Sequence, residues 1–405
     1  MKCGLLGEKL GHSYSPQIHN ALGSYSYELL EKQPEELEAF LKHGDFDGLN
    51  VTIPYKKAVI PHLAELSPVA ARLGAVNTVV RREDGSLIGH NTDYFGFKTM
   101  VEASGLQVAG KKVLVLGSGG ASNTAVAVMQ ELGSEVIIIS RSGENNYSNL
   151  ERHRDAAVIV NSTPVGMYPN VEDSPVSLEH FPGLEGVLDL IFNPARTRLL
   201  QEAESRGLVA MNGLLMLVAQ AKESAEWFTG SAIEDKKILL IHHSLQNQMQ
   251  NIVLIGMPGC GKTSVAAELA RLTGKEVVDA DAEIVKAAGM SIPQIFAQGG
   301  EKAFRTVETT VLEQLGKRSG IILSTGGGCV TKQENYPLLH QNGRIYWLKR
   351  DIATLPTDGR PISQTTDLNK LFEIRSPLYE AFADEIIENN GTLEAAAGKI
   401  LEKLL

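Results

Sequence analysis

Two glycine-rich stretches set the chemistry this chain is equipped for. In IVLIGMPGCGKTS, residues 252–264, Gly256, Gly261, Lys262 and Thr263 satisfy the pattern GxxxxGK[ST]. Such glycines let backbone N–H groups turn onto phosphate oxygens, the lysine pairs with the β and γ phosphates, and the threonine hydroxyl ligates Mg²⁺. A β-branched run precedes the loop and a helical pattern follows, so strand, phosphate loop and helix are expected in that order. The signal specifies a nucleoside triphosphate, not a reaction. In VLVLGSGGAS, residues 113–122, Gly117, Gly119 and Gly120 follow a second apolar run, with Ser122 where a full GxGxxG wants Gly or Ala. A tight strand-to-helix turn would produce the same letters. About 20 residues on, a NAD site carries Asp or Glu for the ribose hydroxyls. Ser140, Arg141 and Ser142 stand there instead. A cation flanked by hydroxyls suits a 2′-phosphate, so NADP(H) is expected rather than NAD.

The residues behind the phosphate loop narrow the reaction. VVDADAEI puts Asp279 and Asp281 two apart at a strand end, where they are expected to share one face. One can steady Mg²⁺ through water while the other reaches an acceptor hydroxyl; a pair of solvated turn aspartates is the alternative. Arg305 and Glu308 are three apart on an expected helix and lie on one face. A guanidinium there grips a carboxylate in two-pronged fashion, or makes only a surface ion pair. Gly326, Gly327 and Gly328 follow the apolar run GIILS and allow close backbone approach to a ligand. Arg360 and Arg375 stand in a polar, proline-punctuated stretch suited to a mobile lid.

Ahead of the first glycine turn, a carbonyl reductase needs a group that exchanges a proton beside the carbonyl. Lys56 follows NVTIP, Asp93 precedes a helix, and Ser13 and Ser15 put two hydroxyls on one loop. The plainer readings are a solvated lysine, a helix N-cap at Asp93, and serine capping of the helix after Pro16.

The elements that must hold these groups read as α/β throughout. GLNVTIP and AVNTVVRR are expected strands, and QPEELEAFLKHG a helix closed by Gly44. After VLVLGSGG, strands alternate with helical stretches, the pattern of a parallel sheet built from βαβ units. From Ser231 to Met249 there is neither Gly nor Pro, so a helical connector running nearly into IVLIG is expected, with the boundary near Asn247. The expected division is a catalytic lobe at 1–100, a Rossmann lobe at 101–230 with a closing helix returning around 212–247, the connector at 231–249, and a P-loop domain at 250–405.

At 405 residues, two or three domains are natural. The formal net charge of -10 argues against nucleic-acid binding, which needs a basic field. Cys3, Cys260 and Cys329 are few and scattered, which suggests neither disulfides nor a CxxC site and fits a reducing cytoplasm. No apolar run reaches the ~18 residues of a membrane helix, and no signal-peptide pattern opens the chain. The ten histidines show no HExxH-like spacing, so no zinc site is expected.

GMPGCGKT, DAD, SIPQIFAQGGEKAFRTVE, STGGG, DGRP and RSPLYEAFAD together make residues 250–405 resemble shikimate kinase, of the nucleoside-monophosphate-kinase-like P-loop type. The resemblance implies that Asp281, Arg305 and Arg375 bind shikimate, that Asp281 stands near the hydroxyl to be phosphorylated, and that Gly327 and Gly328 line the same pocket. It also implies that Gly256, Gly259, Cys260, Gly261, Lys262, Thr263 and Ser264 hold ATP, that Thr263 and Asp279 serve Mg²⁺, and that Arg360 closes from a lid, which is short for the family.

GHSYSPQIHN, NVTIPYKK, GAVNT, GHNTDYFG, LGSGGAS, NSTPVGM, DLIFNPARTRLL and NGLLMLVAQA follow in order the pattern of shikimate dehydrogenase, and AEWFTG around Trp227 continues it. The implied catalytic pair is Lys56 and Asp93. Ser13, Ser15, Thr52, Asn77 and Gln220 are implied to hold the substrate. Gly117, Ser118, Gly119, Gly120, Ala121, Ser140, Arg141 and Ser142 are implied to hold NADP, with Thr163 and Met216 nearby; core packing explains Met216 equally well. The chain departs from the family at SRS, where NRT is usual, at Phe192, where a tyrosine often meets substrate, and in a short stretch between Ala21 and Glu35.

The expected protein is therefore a bifunctional enzyme with NADP(H), ATP and Mg²⁺ as cofactors. It reduces 3-dehydroshikimate and phosphorylates the shikimate formed, with no nucleic-acid or membrane partner, as a monomer or a homodimer. A quinate-preferring first half, a non-catalytic ligand sensor joined to a kinase, and a nucleotide-dependent scaffold are the alternatives.

Overall fold

The computed structural model describes residues 1–11, 13–355 and 368–404. Arg360 and the rest of its stretch lie outside them. The chain forms two compact units, one of Met1–Gly166, Asp173–Phe192 and Leu199–Ser244, the other of Met167–Glu172, Asn193–Arg198 and Leu245–Leu405.

The first unit holds two sheets. One contains β1 (Lys2–Gly7), β2 (Ser26–Glu31), β3 (Gly48–Val51), β4 (Glu65–Leu66), β5 (Thr78–Arg81) and β6 (Leu87–His90). Their order across the sheet is β2-β1-β3-β5-β6-β4, with β5 antiparallel to both β3 and β6. Because β5 runs against its neighbours, the ends of β1, β3 and β6 and the start of β5 share one edge. Ser13, Ser15, Thr52, Asn77 and Asp93 all belong to segments leaving or entering that edge.

The other sheet is β7 (Lys112–Leu116), β8 (Glu135–Ile139), β9 (Val158–Asn161), β10 (Gly186–Asp189) and β11 (Val209–Met211), in the order β11-β10-β9-β7-β8 and parallel throughout. Alternate residues of VLVL serve opposite faces, Val113 and Val115 in one core, Leu114 and Leu116 in the other. Both faces are covered, which is why the run is apolar without interruption. β8 and β9 flank β7 on opposite sides, so a crevice for a ligand opens beyond the carboxyl end of β7.

The second unit contains β12 (Asn251–Ile255), β13 (Glu276–Asp279), β14 (Ile321–Ser324), β15 (Gly343–Lys349) and β16 (Glu385–Glu388), in the order β13-β14-β12-β15-β16 and again parallel. Here the switch of direction falls at β12, whose end opens the phosphate loop. The connector is one helix, Lys236–Met249, and β12 begins at Asn251.

Several local expectations need correction. The strand GLNVTIP ends at Val51, and AVNTVVRR is a strand only over Thr78–Arg81. QPEELEAFLKHG is a short 3₁₀ turn, Pro34–Glu36, followed by a helix, Leu37–His43; Gly44 ends it in an extended conformation, not a left-handed one. The cap of the helix Asp93–Ser104 is Thr92, and Asp93 is its first residue. Tyr14 occupies the cap of Ser15–Leu22; the Ser13 hydroxyl instead accepts from the Ser15 N–H at 3.2 Å. Asp279 and Asp281 are not strand neighbours: Asp279 ends β13 and caps the helix Ala280–Ala288, in which Asp281 is the second residue. Among the described residues no helix is long and apolar enough to cross a membrane.

Candidate active sites

In the first unit Lys56 follows Pro54 in a one-turn helix, Tyr55–Ala58, and its carbonyl accepts from the Val76 N–H at 2.8 Å. That bond ties the turn to the segment entering β5. The Lys56 ammonium donates to Asp93 Oδ2 at 2.6 Å, with both side chains partly exposed. Asp93 sits at a helix N-terminus, where backbone N–H groups favour a carboxylate. A proton donor and its counter-ion are thus held together at the edge of the sheet.

Beneath the pair lies a buried polar web. Asn77 Oδ1 accepts from the Thr92 N–H at 2.7 Å, and Asn77 Nδ2 donates to Thr92 Oγ1 at 3.1 Å and to Gln220 Oε1 at 3.5 Å. Ser224 Oγ joins Thr78 and Thr92 hydroxyls, each at 2.9 Å, and accepts from Asn50 Nδ2 at 2.8 Å. A buried polar network in which most members are satisfied rigidifies its surroundings. The web brings Asn77 and Gln220 together; Asn50, Thr92 and Ser224 are members that the sequence reading missed. Thr52 follows β3, held by its N–H to the Leu6 carbonyl at 2.9 Å. Phe192 meets Tyr14 edge-on at 6.2 Å, so the ring lacking a hydroxyl lies against the residue between the two serines.

The glycine turn after β7 leads into the helix Gly120–Glu131 through Gly119. Gly117 has φ 108°, a conformation that side chains rarely adopt, and it packs under Ser162 and Thr163 from the end of β9. Ser118, Gly119, Gly120 and Ala121 are exposed, and a Cβ added at Gly119 or Gly120 would meet nothing within 4 Å. Open backbone at a helix N-terminus with no acidic residue in its first turn fits a pyrophosphate. Arg141 and Ser142, just past β8, are exposed, and Ser140 is partly so. Among the described residues no carboxylate pairs with Arg141, which leaves it for an anion. Thr163 Oγ1 donates to Asn161 Oδ1 at 2.7 Å. Met216 packs partly buried against the β7 core, the placement that core packing alone accounts for.

In the second unit a cleft of about 920 Å³ gathers the phosphate loop, both aspartates, Arg305, the three glycines and Arg375. Gly261, at φ 99°, caps the helix Lys262–Thr273. Gly259, Gly261, Thr263 and Ser264 line the cleft, whereas Gly256 and Cys260 are buried beneath it. Cys260 contributes its carbonyl, which accepts from Asn389 Nδ2 at 2.6 Å. The Lys262 ammonium is folded onto its own loop, donating to the Gly256 and Met257 carbonyls at 2.9 and 3.1 Å. Asp279 Oδ1 accepts from the Asp281 and Ala282 N–H groups, and Thr263 is exposed toward the cleft. Among the described residues no group of three or more His, Cys, Asp or Glu side chains could hold a metal ion. A threonine and an aspartate remain the fitting pair for Mg²⁺, which keeps waters and phosphate oxygens as its other ligands.

Arg305 is no surface residue. It is 5% exposed and donates to Glu308 at 2.7 Å and to Glu301 at 3.1 and 3.3 Å. Burial pushes the Glu308 carboxyl up, opposed by the Arg305 charge beside it. Glu308 Oε2 takes the arginine, while Oε1 is buried without a partner and lies 3.1 Å from where a Cβ on Gly326 would stand. Arg375, 4% exposed, donates to the Gly327 carbonyl at 3.1 Å, and the Tyr379 hydroxyl donates to the same oxygen. Two buried guanidiniums therefore converge on the three-glycine turn. This arrangement fits a carboxylate ligand, and the phosphate loop faces it across one cleft.

The family models match in the same order: the shikimate dehydrogenase substrate-binding domain over residues 5–79 and shikimate kinase over 258–405. The NADP(+) shikimate dehydrogenase of Caldicellulosiruptor bescii is 38% identical over 259 residues, covering 56% of this chain and 89% of that protein. The chain belongs to the shikimate dehydrogenase family and carries a shikimate kinase domain behind it. Solved structures agree on the dehydrogenase. Shikimate dehydrogenase 1 of Peptoclostridium difficile is 38% identical, with a TM-score of 0.56 over 60% of this chain and 97% of that one. The Thermus thermophilus shikimate 5-dehydrogenase, solved with NADP(H) and shikimate, is 34% identical with a TM-score of 0.56, over 60% of this chain and 99% of that one.

Proposed function

We propose that the chain catalyses two successive steps, the NADPH-dependent reduction of 3-dehydroshikimate to shikimate and the ATP-dependent phosphorylation of shikimate at its 3-hydroxyl. Bound NADPH supplies the hydride. Lys56, held at 2.6 Å by Asp93, delivers the proton to the ketone oxygen as negative charge develops on it. Ser13 and Ser15 bind the substrate carboxylate, and Thr52, Asn77 and Gln220 the ring hydroxyls, over the fixed floor of the polar web. Arg141, flanked by Ser140 and Ser142, selects the 2′-phosphate; Thr163 and Met216 lie along the cofactor.

In the kinase, Arg305 and Arg375 hold the shikimate carboxylate against Gly327 and Gly328, and Asp281 takes the proton of the attacking hydroxyl. Lys262 exchanges its loop carbonyls for phosphate oxygens, while Thr263 and Asp279 hold Mg²⁺. Arg360 closes over the phosphates in this reading, though it lies outside the described residues. The observation that carries the proposal is the presence, in one chain, of a Lys56–Asp93 pair and of two buried arginines facing a phosphate loop. The three cysteines are free and buried, which supports a cytoplasmic enzyme.

The test is a pair of single variants assayed for both reactions. Lys56→Ala is expected to lower reduction by roughly 10²–10⁴-fold while leaving phosphorylation intact, and Asp281→Asn to do the reverse. Loss of both activities from either variant, in a folded chain, would contradict two separate sites.

A further inference from the structure

Among the described residues lining the kinase cleft, one cation is used by none of these roles. Arg350 follows the last residue of β15, at the carboxyl edge beside β12, where the phosphate loop begins. It lines the same cleft as Lys262 and Thr263. Its Nη1 atom lies 3.8 Å from the position of a Cβ on Gly261, the residue that caps the phosphate-loop helix. Among the described residues no carboxylate pairs with Arg350. Its hydrogen bond there runs from Nε to Thr354 Oγ1 at 3.3 Å, which leaves Nη1 on the Gly261 side.

A partly buried guanidinium without a counter-ion is costly unless an anion joins it. Two of the other described cations lining the cleft are committed elsewhere. Arg305 and Arg375 pack on Gly328 and Gly327 at the acceptor side, and Lys262 is a single point charge on the loop. An arginine adds a planar fork that matches phosphate oxygens in pairs.

We propose that Arg350 is a further phosphate-binding residue of the kinase, contacting the phosphate chain of ATP from the β15 side. The proposal rests on the reading of residues 256–263 as an ATP site, and the experiment separates the two. Mg-ADP, adenosine and shikimate are titrated calorimetrically into the full chain, its Arg350→Ala variant and its Arg350→Lys variant. Loss of a charged hydrogen bond predicts that Arg350→Ala binds ADP about tenfold more weakly. Arg350→Lys recovers part of that loss, and adenosine and shikimate binding stay unchanged. Unchanged ADP affinity in Arg350→Ala overturns the proposal, and so does an equal loss for adenosine, which would place Arg350 on the base. A wild-type chain that binds no ADP would remove the ATP-site reading itself.

Discussion

Gly328 offers a sharp test of the acceptor side of the kinase, because its neighbour is the guanidinium assigned to the substrate carboxylate. A methyl group built on Gly328 would stand 2.0 Å from Arg305 Nη2 and 2.5 Å from its Cζ, well inside van der Waals contact. Arg305 cannot simply swing to solvent, since it is buried and held by Glu308 and Glu301. Gly328→Ala must therefore shift the guanidinium or the turn, and either change disturbs the contact proposed between Arg305 and the substrate carboxylate. Hydrogen bonds to charged groups are worth about 1.5–3 kcal/mol, so KM for shikimate should rise roughly 10- to 100-fold. Gly326→Ala serves as contrast. Its methyl would press first on Asp281 Oδ1 at 2.9 Å and then on Glu308 Oε1 at 3.1 Å, so kcat should fall with a smaller rise in KM. Steady-state phosphorylation with shikimate varied at saturating ATP reads both effects, and the thermal melt of each variant, with its ADP affinity, reports folding of the unit that carries the change. An unchanged KM for shikimate in folded Gly328→Ala would refute the assignment of Arg305.

Two further outcomes follow from other parts of the chain. Arg141→Ala should raise KM for NADPH by about tenfold or more, the value of a charge-assisted bond to phosphate, and leave weak NADH use unchanged; equal losses for both cofactors would contradict a 2′-phosphate contact. Burial holds His19 and His90 neutral, lowering their pKa values from 6.5 to about 3 and about 4. Their folded values lie below the unfolded one, so their contribution to stability is complete above pH 6.5 and is lost as pH falls toward about 4 for His90 and about 3 for His19. The slope is at most about 1.4 kcal/mol per pH unit for each. Urea titrations across that range should show a shallower slope for His90→Gln, and an unaltered slope would contradict the account.

Much of the fold was legible because both glycine turns stand between a short apolar strand and a helix, a sequence of elements with few alternatives. The apolar run VLVL is buried on both faces, which made its parallel sheet readable as well. Boundaries were less so. Asp279 and Asp281 looked like strand neighbours because nothing in VVDADAEI marks the break, yet Asp279 turns the chain by capping a helix with its own side chain. Likewise the spacing of Arg305 and Glu308 fixes a shared helix face but not its burial, which depends on distant segments packing over it. Asn50, Thr92 and Ser224 left no local signal, because their web joins β3, β5 and two helices far apart in the chain. Arg350 is similarly silent: a lysine and an arginine ending a strand look like an ordinary polar edge until the strand is set beside β12.

The central claim is that one chain makes shikimate and then phosphorylates it, and a single mixture tests it most directly. Purified protein is given 3-dehydroshikimate, NADPH, ATP and Mg²⁺, and NADPH consumption is followed together with shikimate 3-phosphate formation. The account predicts that both proceed, with phosphate ester appearing only when reduction is allowed to occur. NADPH consumption without the ester, or a folded protein that performs neither reaction, would contradict it.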